Sequence, residues 1–176
     1  MKILRKTLLT TTLLAVFSFI PSVEAASDDD CSIWLCLPMG FPSGCGDAKK
    51  AFKKRIKNFK SPLPSLSSCL LKGGDIPKSE NDVSSQDGKA AYIPERTICT
   101  KYESKRDGGE WRRYCVSQEV IPAHAIKDRF CVIDKQNNHS PAHCSHTIRY
   151  VDVYMDGEFY GETHYFDNKG NEYDLP

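Results

Sequence analysis

His146-Thr-Ile-Arg-Tyr-Val-Asp-Val-Tyr-Met155, then Asp156-Gly157, then Glu158-Phe-Tyr-Gly-Glu-Thr-His-Tyr-Phe166 is the stretch that decides the fold. Both arms are rich in β-branched and aromatic residues, which suit a pleated, half-buried surface. Asp-Gly between them supplies the two left-handed positions of a tight hairpin turn. With that register, Ile148, Tyr150, Tyr154, Phe159 and Tyr165 share one face. Val151, Val153 and Tyr160 lie on the other, among Arg149, Glu158, Glu162 and His164. The aromatic face is expected to be the buried one.

Working toward the N-terminus, a second hairpin is expected. Thr97–Glu103 and Trp111–Ser117 flank a turn rich in Arg, Asp and Gly at Arg106–Gly109. A centre near Asp107 sets Cys99 opposite Cys115, a spacing a disulfide can bridge. A second pair, Cys131 and Cys144, brackets a polar loop from Lys135 to His143. Residues 92–176 therefore read as an antiparallel β region. Residues 73–91 are rich in Gly, Ser, Asp and Lys, which predicts a polar linker or mobile loop. That segment divides the eight cysteines four and four, so two semi-independent halves are expected.

Residues 26–72 form the other half. Cys31 to Cys45 is dense in Pro, Gly and Cys and reads as a cross-linked loop anchored by Trp34, Leu35 and Phe41. Asp47 is placed to cap a helix over Ala48–Lys60. Phe52, Ile56 and Phe59 share one face of it. Lys49, Lys50, Lys53, Lys54, Arg55, Lys57 and Lys60 cover the rest. Ser61-Pro62-Leu63-Pro64 ends the helix, since a residue before proline avoids the helical region. The chain is thus expected to be α+β: a small, disulfide-rich exported domain with an N-terminal Cys-rich loop, one basic helix and C-terminal antiparallel hairpins.

The N-terminus predicts export. Lys2, Arg5 and Lys6 precede an apolar run from Leu8 to Ile20, and Val23-Glu24-Ala25 places small residues at a cleavage site. The run is shorter than the ~20 residues a spanning helix needs. Cleavage after Ala25 leaves 151 residues with 21 basic and 22 acidic side chains, a net charge of −1. That balance does not suit a nucleic-acid binder, and none is expected as a partner. All eight cysteines follow the cleavage site: Cys31, Cys36, Cys45, Cys69, Cys99, Cys115, Cys131 and Cys144. An even count in an exported chain reads as a disulfide framework, with pairing mostly inside each half and no free thiol. The expected location is the periplasm or the exterior.

No catalytic pattern stands out. His139, His143, Cys144 and His146 have a ligand-like spacing, but oxidation of Cys144 and the helix-breaking Pro141 argue against a metal site. No serine sits in a Gly-x-Ser-x-Gly elbow, no phosphate loop is present, and no CxxC occurs. No enzyme activity, metal or cofactor is expected.

Cys31-Ser-Ile-Trp-Leu-Cys-Leu-Pro-Met-Gly-Phe-Pro-Ser-Gly-Cys45, the helix opening Gly46-Asp-Ala-Lys-Lys, and Lys60-Ser-Pro-Leu-Pro-Ser-Leu-Ser-Ser-Cys69 resemble small exported proteins encoded in conjugative-transfer regions of plasmids and integrative elements, the TraL-like conjugal transfer proteins. Tyr150-Val-Asp-Val-Tyr-Met-Asp-Gly157 is similar too. The resemblance implies a non-enzymatic periplasmic accessory of conjugation or its type IV secretion apparatus. It implies a partner among envelope or secretion-apparatus proteins. The alternative is a secreted envelope-acting effector or hydrolase drawing on Glu162 and His164.

The contact surface is expected in the N-terminal half. Trp34, Met39 and Phe41 lie in a bridged loop, and a rigid loop loses little entropy on binding. Lys53, Lys54 and Lys57 are placed to steer an acidic partner or to touch an anionic surface.

Overall fold

A computed structural model of the chain describes residues 26–70 and 82–176. The expected leader, residues 1–25, and residues 73–81 of the expected linker lie outside the described residues.

The N-terminal unit begins with a helix where a loop was expected. In α1 (Asp28–Cys36), the Ser27 side chain accepts the Asp30 N–H at 3.1 Å, and three aspartates occupy the first turn. Their charge suits the positive end of the helix dipole. Pro and Gly are absent until Pro38, so nothing breaks the helix before a 3-10 turn, Leu37–Met39, takes over. The basic helix α2 (Gly46–Lys57) starts earlier than expected and ends sooner. Asp47 sits inside its first turn and pairs with Lys50, rather than capping it. A short helix, α3 (Leu66–Leu70), follows. Cys36–Cys45 ties the end of α1 to the start of α2, and Cys31–Cys69 ties α1 to α3, with Cα atoms 5.8 and 5.5 Å apart.

Among the described residues nine strands follow: β1 (Val83–Ile93), β2 (Arg96–Asp107), β3 (Glu110–Ile121), β4 (His124–Lys127), β5 (Val132–Ile133), β6 (His139–Ser140), β7 (His146–Met155), β8 (Glu158–Phe166) and β9 (Glu172–Tyr173). Five form one antiparallel sheet in the order β4-β1-β7-β8-β9. The fold class is α+β, as expected. Residues 83–91 correct the linker reading. They are a strand paired with β7 from Val83↔Met155 to Tyr92↔His146. Ser84, Ser85, Gln86 and Asp87 are polar because their side chains remain exposed while the backbone pairs.

The β7–β8 hairpin turns at Asp156-Gly157 as expected, with φ of 55° and 80°. Its faces need correction: away from the turn both are buried, while Phe159 of the expected aromatic face and Tyr160 of the other are exposed near the turn. Ile148, Tyr150 and Tyr165 pack with Ala90 on one side. Val151, Val153 and Phe166 pack on the other against Ile33, Leu37, Phe41, Phe52, Ile56 and Leu63 of the N-terminal unit. The two halves therefore share a core and are not semi-independent. Phe52 and Ile56 are core residues, as the helical spacing required, but Phe59 is 94% exposed. Helix α2 has ended by then, so the i+7 position no longer returns to the same face. Leu35 is 74% exposed and is no anchor.

Candidate functional site

The eight cysteines form four pairs at disulfide distance and leave no free thiol. Cys99 pairs with Cys115, as the hairpin spacing anticipates, and Cys131 with Cys144, the pair expected to bracket the polar loop.

Strands β2 and β3 stand apart from the five-stranded sheet as a two-stranded arm. Twelve residues per strand at roughly 3.4 Å each make it about 40 Å long. Nearly every residue is exposed on both faces. A lone hairpin is marginal in water. Here Cys99–Cys115 staples it where the register shifts twice, around Thr100 and Val116. Those bulges bring the two Cα atoms to 5.8 Å although Cys99 is nominally opposite Gln118.

The arm's faces differ in charge. Pairing of Tyr102 with Cys115, Ser104 with Arg113 and Arg106 with Trp111 puts these side chains on one face. That face bears two arginines and two aromatics and no carboxylate. Arg113 stacks 4.3 Å from the Tyr102 ring centroid, and Trp111 is 73% exposed. The opposite face is balanced: Arg112 pairs with Asp107 at 3.6 Å, and the Tyr114 hydroxyl donates to Asp107 at 3.2 Å. Sequence reading located the turn and both strands but passed over Trp111 and the arginines. The signal was there: alternation of Tyr102, Arg106, Trp111 and Arg113 on one side of a hairpin lacking apolar periodicity.

The residues expected to touch a partner separate. Phe41 is core, packed on Phe52 and His164, which removes it from any contact surface. Trp34 is half-buried, its indole N–H donating to the Pro64 carbonyl at 3.1 Å. Met39, Lys54 and Lys57 are exposed, and Lys53 is half-buried beside Gly170. Beside α2 lies an open cleft of about 900 Å³. Of its acidic lining, Asp30 and Asp47 pair with Arg55 and Lys50, and Asp29 lies beside them.

Several other titratable groups are held inside the fold. His164 is enclosed by Phe41, Phe52 and Phe166, its Nε2 buried with no hydrogen-bond partner. Burial holds its pKa down at about 4. Glu162 is exposed, so the two are not presented together to a substrate. His146 packs on Tyr92 and Tyr173, Cys144 is bridged, and the His139 ring bonds the Cys144 carbonyl. No group of three or more His, Cys, Asp or Glu among the described residues is placed to hold a metal. Sequence reading also missed an ion pair across β1. Lys127 reaches both Asp152 carboxylate oxygens, at 2.9 and 2.8 Å, and Thr163 Oγ1 at 2.7 Å. Every one of these partners is satisfied locally, which marks a structural network.

These features define a disulfide-bonded α+β protein with an exposed stapled arm, and its four bridges are consistent with an extracellular or periplasmic location. Among the described residues no helix is long and apolar enough to cross a membrane. No protein-family model, curated protein or solved structure matches the chain significantly.

Proposed function

We propose that this chain is an exported, non-enzymatic binding module that serves bacterial conjugation as a periplasmic accessory of the transfer apparatus. Sequence resemblance in the Cys31–Cys69 segment supports the conjugative setting, and the four bridges suit an oxidising compartment. The observation that carries the binding role is the arm. A hairpin that its own chain leaves unburied, yet staples covalently, presents Tyr102, Arg106, Trp111 and Arg113 on one face. Trp, Tyr and Arg are the residues that dominate protein–protein hot spots. A partner surface rich in carboxylates complements this face.

The test is gene deletion followed by complementation, with mating frequency measured in liquid and on surfaces. Transfer should fall on deletion and return with the intact gene. A Trp111→Ser/Arg113→Glu variant that is exported and oxidised normally should not restore it. Unchanged transfer after deletion removes the conjugation reading. Full restoration by the variant removes the arm from it.

A further inference from the structure

We propose a second interaction surface, separate from the arm: the C-terminal end of α2 is a peripheral anchor for anionic phospholipid, with Phe59 as the inserting ring and Lys54, Lys57 and Lys60 as headgroup contacts. Three observations converge there. Phe59 is the most exposed of the large hydrophobic side chains, at 94%. It also occupies a left-handed position, φ 55°, just past the helix end. Its N–H bonds the Ile56 carbonyl at 3.1 Å, and the next N–H, of Lys60, bonds the Arg55 carbonyl at 3.0 Å. Glycine is the residue that fits such a terminus without strain. A phenylalanine there is strained and wet at once, a combination that folding alone does not reward.

Charge supplies the third observation. Other cations of the helix are matched: Lys49 pairs with Glu172, Lys50 with Asp47 and Arg55 with Asp30. Among the described residues Lys54, Lys57 and Lys60 have no carboxylate partner, and all three are exposed. A protein partner is the less suited occupant. Lysine is depleted at protein interfaces, whereas clustered lysines beside an aromatic ring favour anionic bilayers. A ring standing outside the fold meets acyl chains without any groove to receive it. The anchor lies on the surface, since no described helix is long and apolar enough to span.

Sedimentation of the intact, oxidised protein with vesicles tests this directly, independently of any transfer phenotype. Binding is expected to vesicles containing phosphatidylglycerol, to weaken as salt is raised, and to be absent with phosphatidylcholine alone. Phe59→Gly should lower affinity about tenfold, the loss of one buried ring. The same change should raise the melting temperature, because glycine accepts the left-handed position, so lost binding cannot be blamed on misfolding. Phe59→Trp should restore affinity. Lys54→Gln/Lys57→Gln/Lys60→Gln should lower it about a hundredfold, at roughly fivefold per lysine, and flatten the salt dependence. The proposal is overturned by absence of binding to phosphatidylglycerol vesicles. It is equally overturned by binding that Phe59→Gly leaves unchanged, or by binding that Trp111→Ser abolishes.

Discussion

His164 shows how one residue couples the two layers. Its ring sits edge-on to Phe41 and Phe52 and stacks on Phe166, so strand β8 and the N-terminal helices meet across it. Burial lowers its pKa from 6.5 to about 4, with Lys49 acting in the same direction and Glu172 against it. The unfolded chain therefore binds a proton that the folded chain refuses between pH 6.5 and 4. Stability from this site is complete above pH 6.5 and is lost as pH falls through that window, by about 3 kcal/mol in all. His164→Phe keeps an aromatic ring in the nest and removes both the titration and the unpartnered nitrogen. Urea denaturation at pH 7 and pH 4 should show the variant losing less stability on acidification than the parent. Equal losses in the two proteins would place the acid sensitivity elsewhere. The sequence placed His164 on a face with Glu162, and only the alternative hydrolase reading drew on the two. Only the approach of α2, far away in the chain, shows that this face is covered.

At the scale of elements, the arm and the β7–β8 hairpin form a contrast. The β7–β8 pair is held by burial on both faces at the end away from its turn, the arm by a bridge. Closing a loop with a sequence separation of 16 residues stabilises by about 3 kcal/mol. Cys99→Ala/Cys115→Ala should therefore raise amide exchange throughout β2 and β3 while leaving β7 protected. Arm amides that stay slow in that variant would mean something other than the bridge orders the hairpin. Both hairpins were legible because turn dipeptides and alternation are local signals. Strand β1 was not. Its polar half is a strand only because β7 offers a full-length partner, and Gly88 is needed there because the Tyr150 ring lies where a Cβ would be, 2.7 Å away. Helix α1 was missed for a different reason: the cysteine and proline density of Cys31–Cys45 drew attention from the capping Ser27 and the acidic first turn before it.

For the whole molecule, the decisive contact is the docking of the N-terminal unit on the sheet. Strand β8 passes so close to the 3-10 turn that a Cβ on Gly161 would lie 2.3 Å from the Pro38 carbonyl oxygen. Gly161 also has φ of +81°. Backbone cannot yield as a side chain can, so Gly161→Ala should cost more than about 2 kcal/mol, through strain and through loss of interlayer packing. Thermal unfolding measures the first. Proteolysis at Cys31–Cys69 under reducing conditions reads the second, because a loosened unit is cleaved sooner. A variant as stable as the parent would show that the two layers tolerate separation.

By itself the sequence determined the local parts: the cysteine count, the basic helix, the tight Asp156-Gly157 turn, the strands on either side and the antiparallel, mixed class; it suggested two of the cysteine pairings without fixing the connectivity. These follow from spacing, turn chemistry and periodicity, which act over a few residues. The tertiary structure alone decided which faces are buried, because a strand covered on both sides and a strand covered on one can carry the same alternation. It removed Phe41 from the surface and placed Phe59 on it. It also turned residues 83–91 from polar linker into sheet. Each of those outcomes depends on a partner distant in the chain, and no local pattern records where that partner will lie.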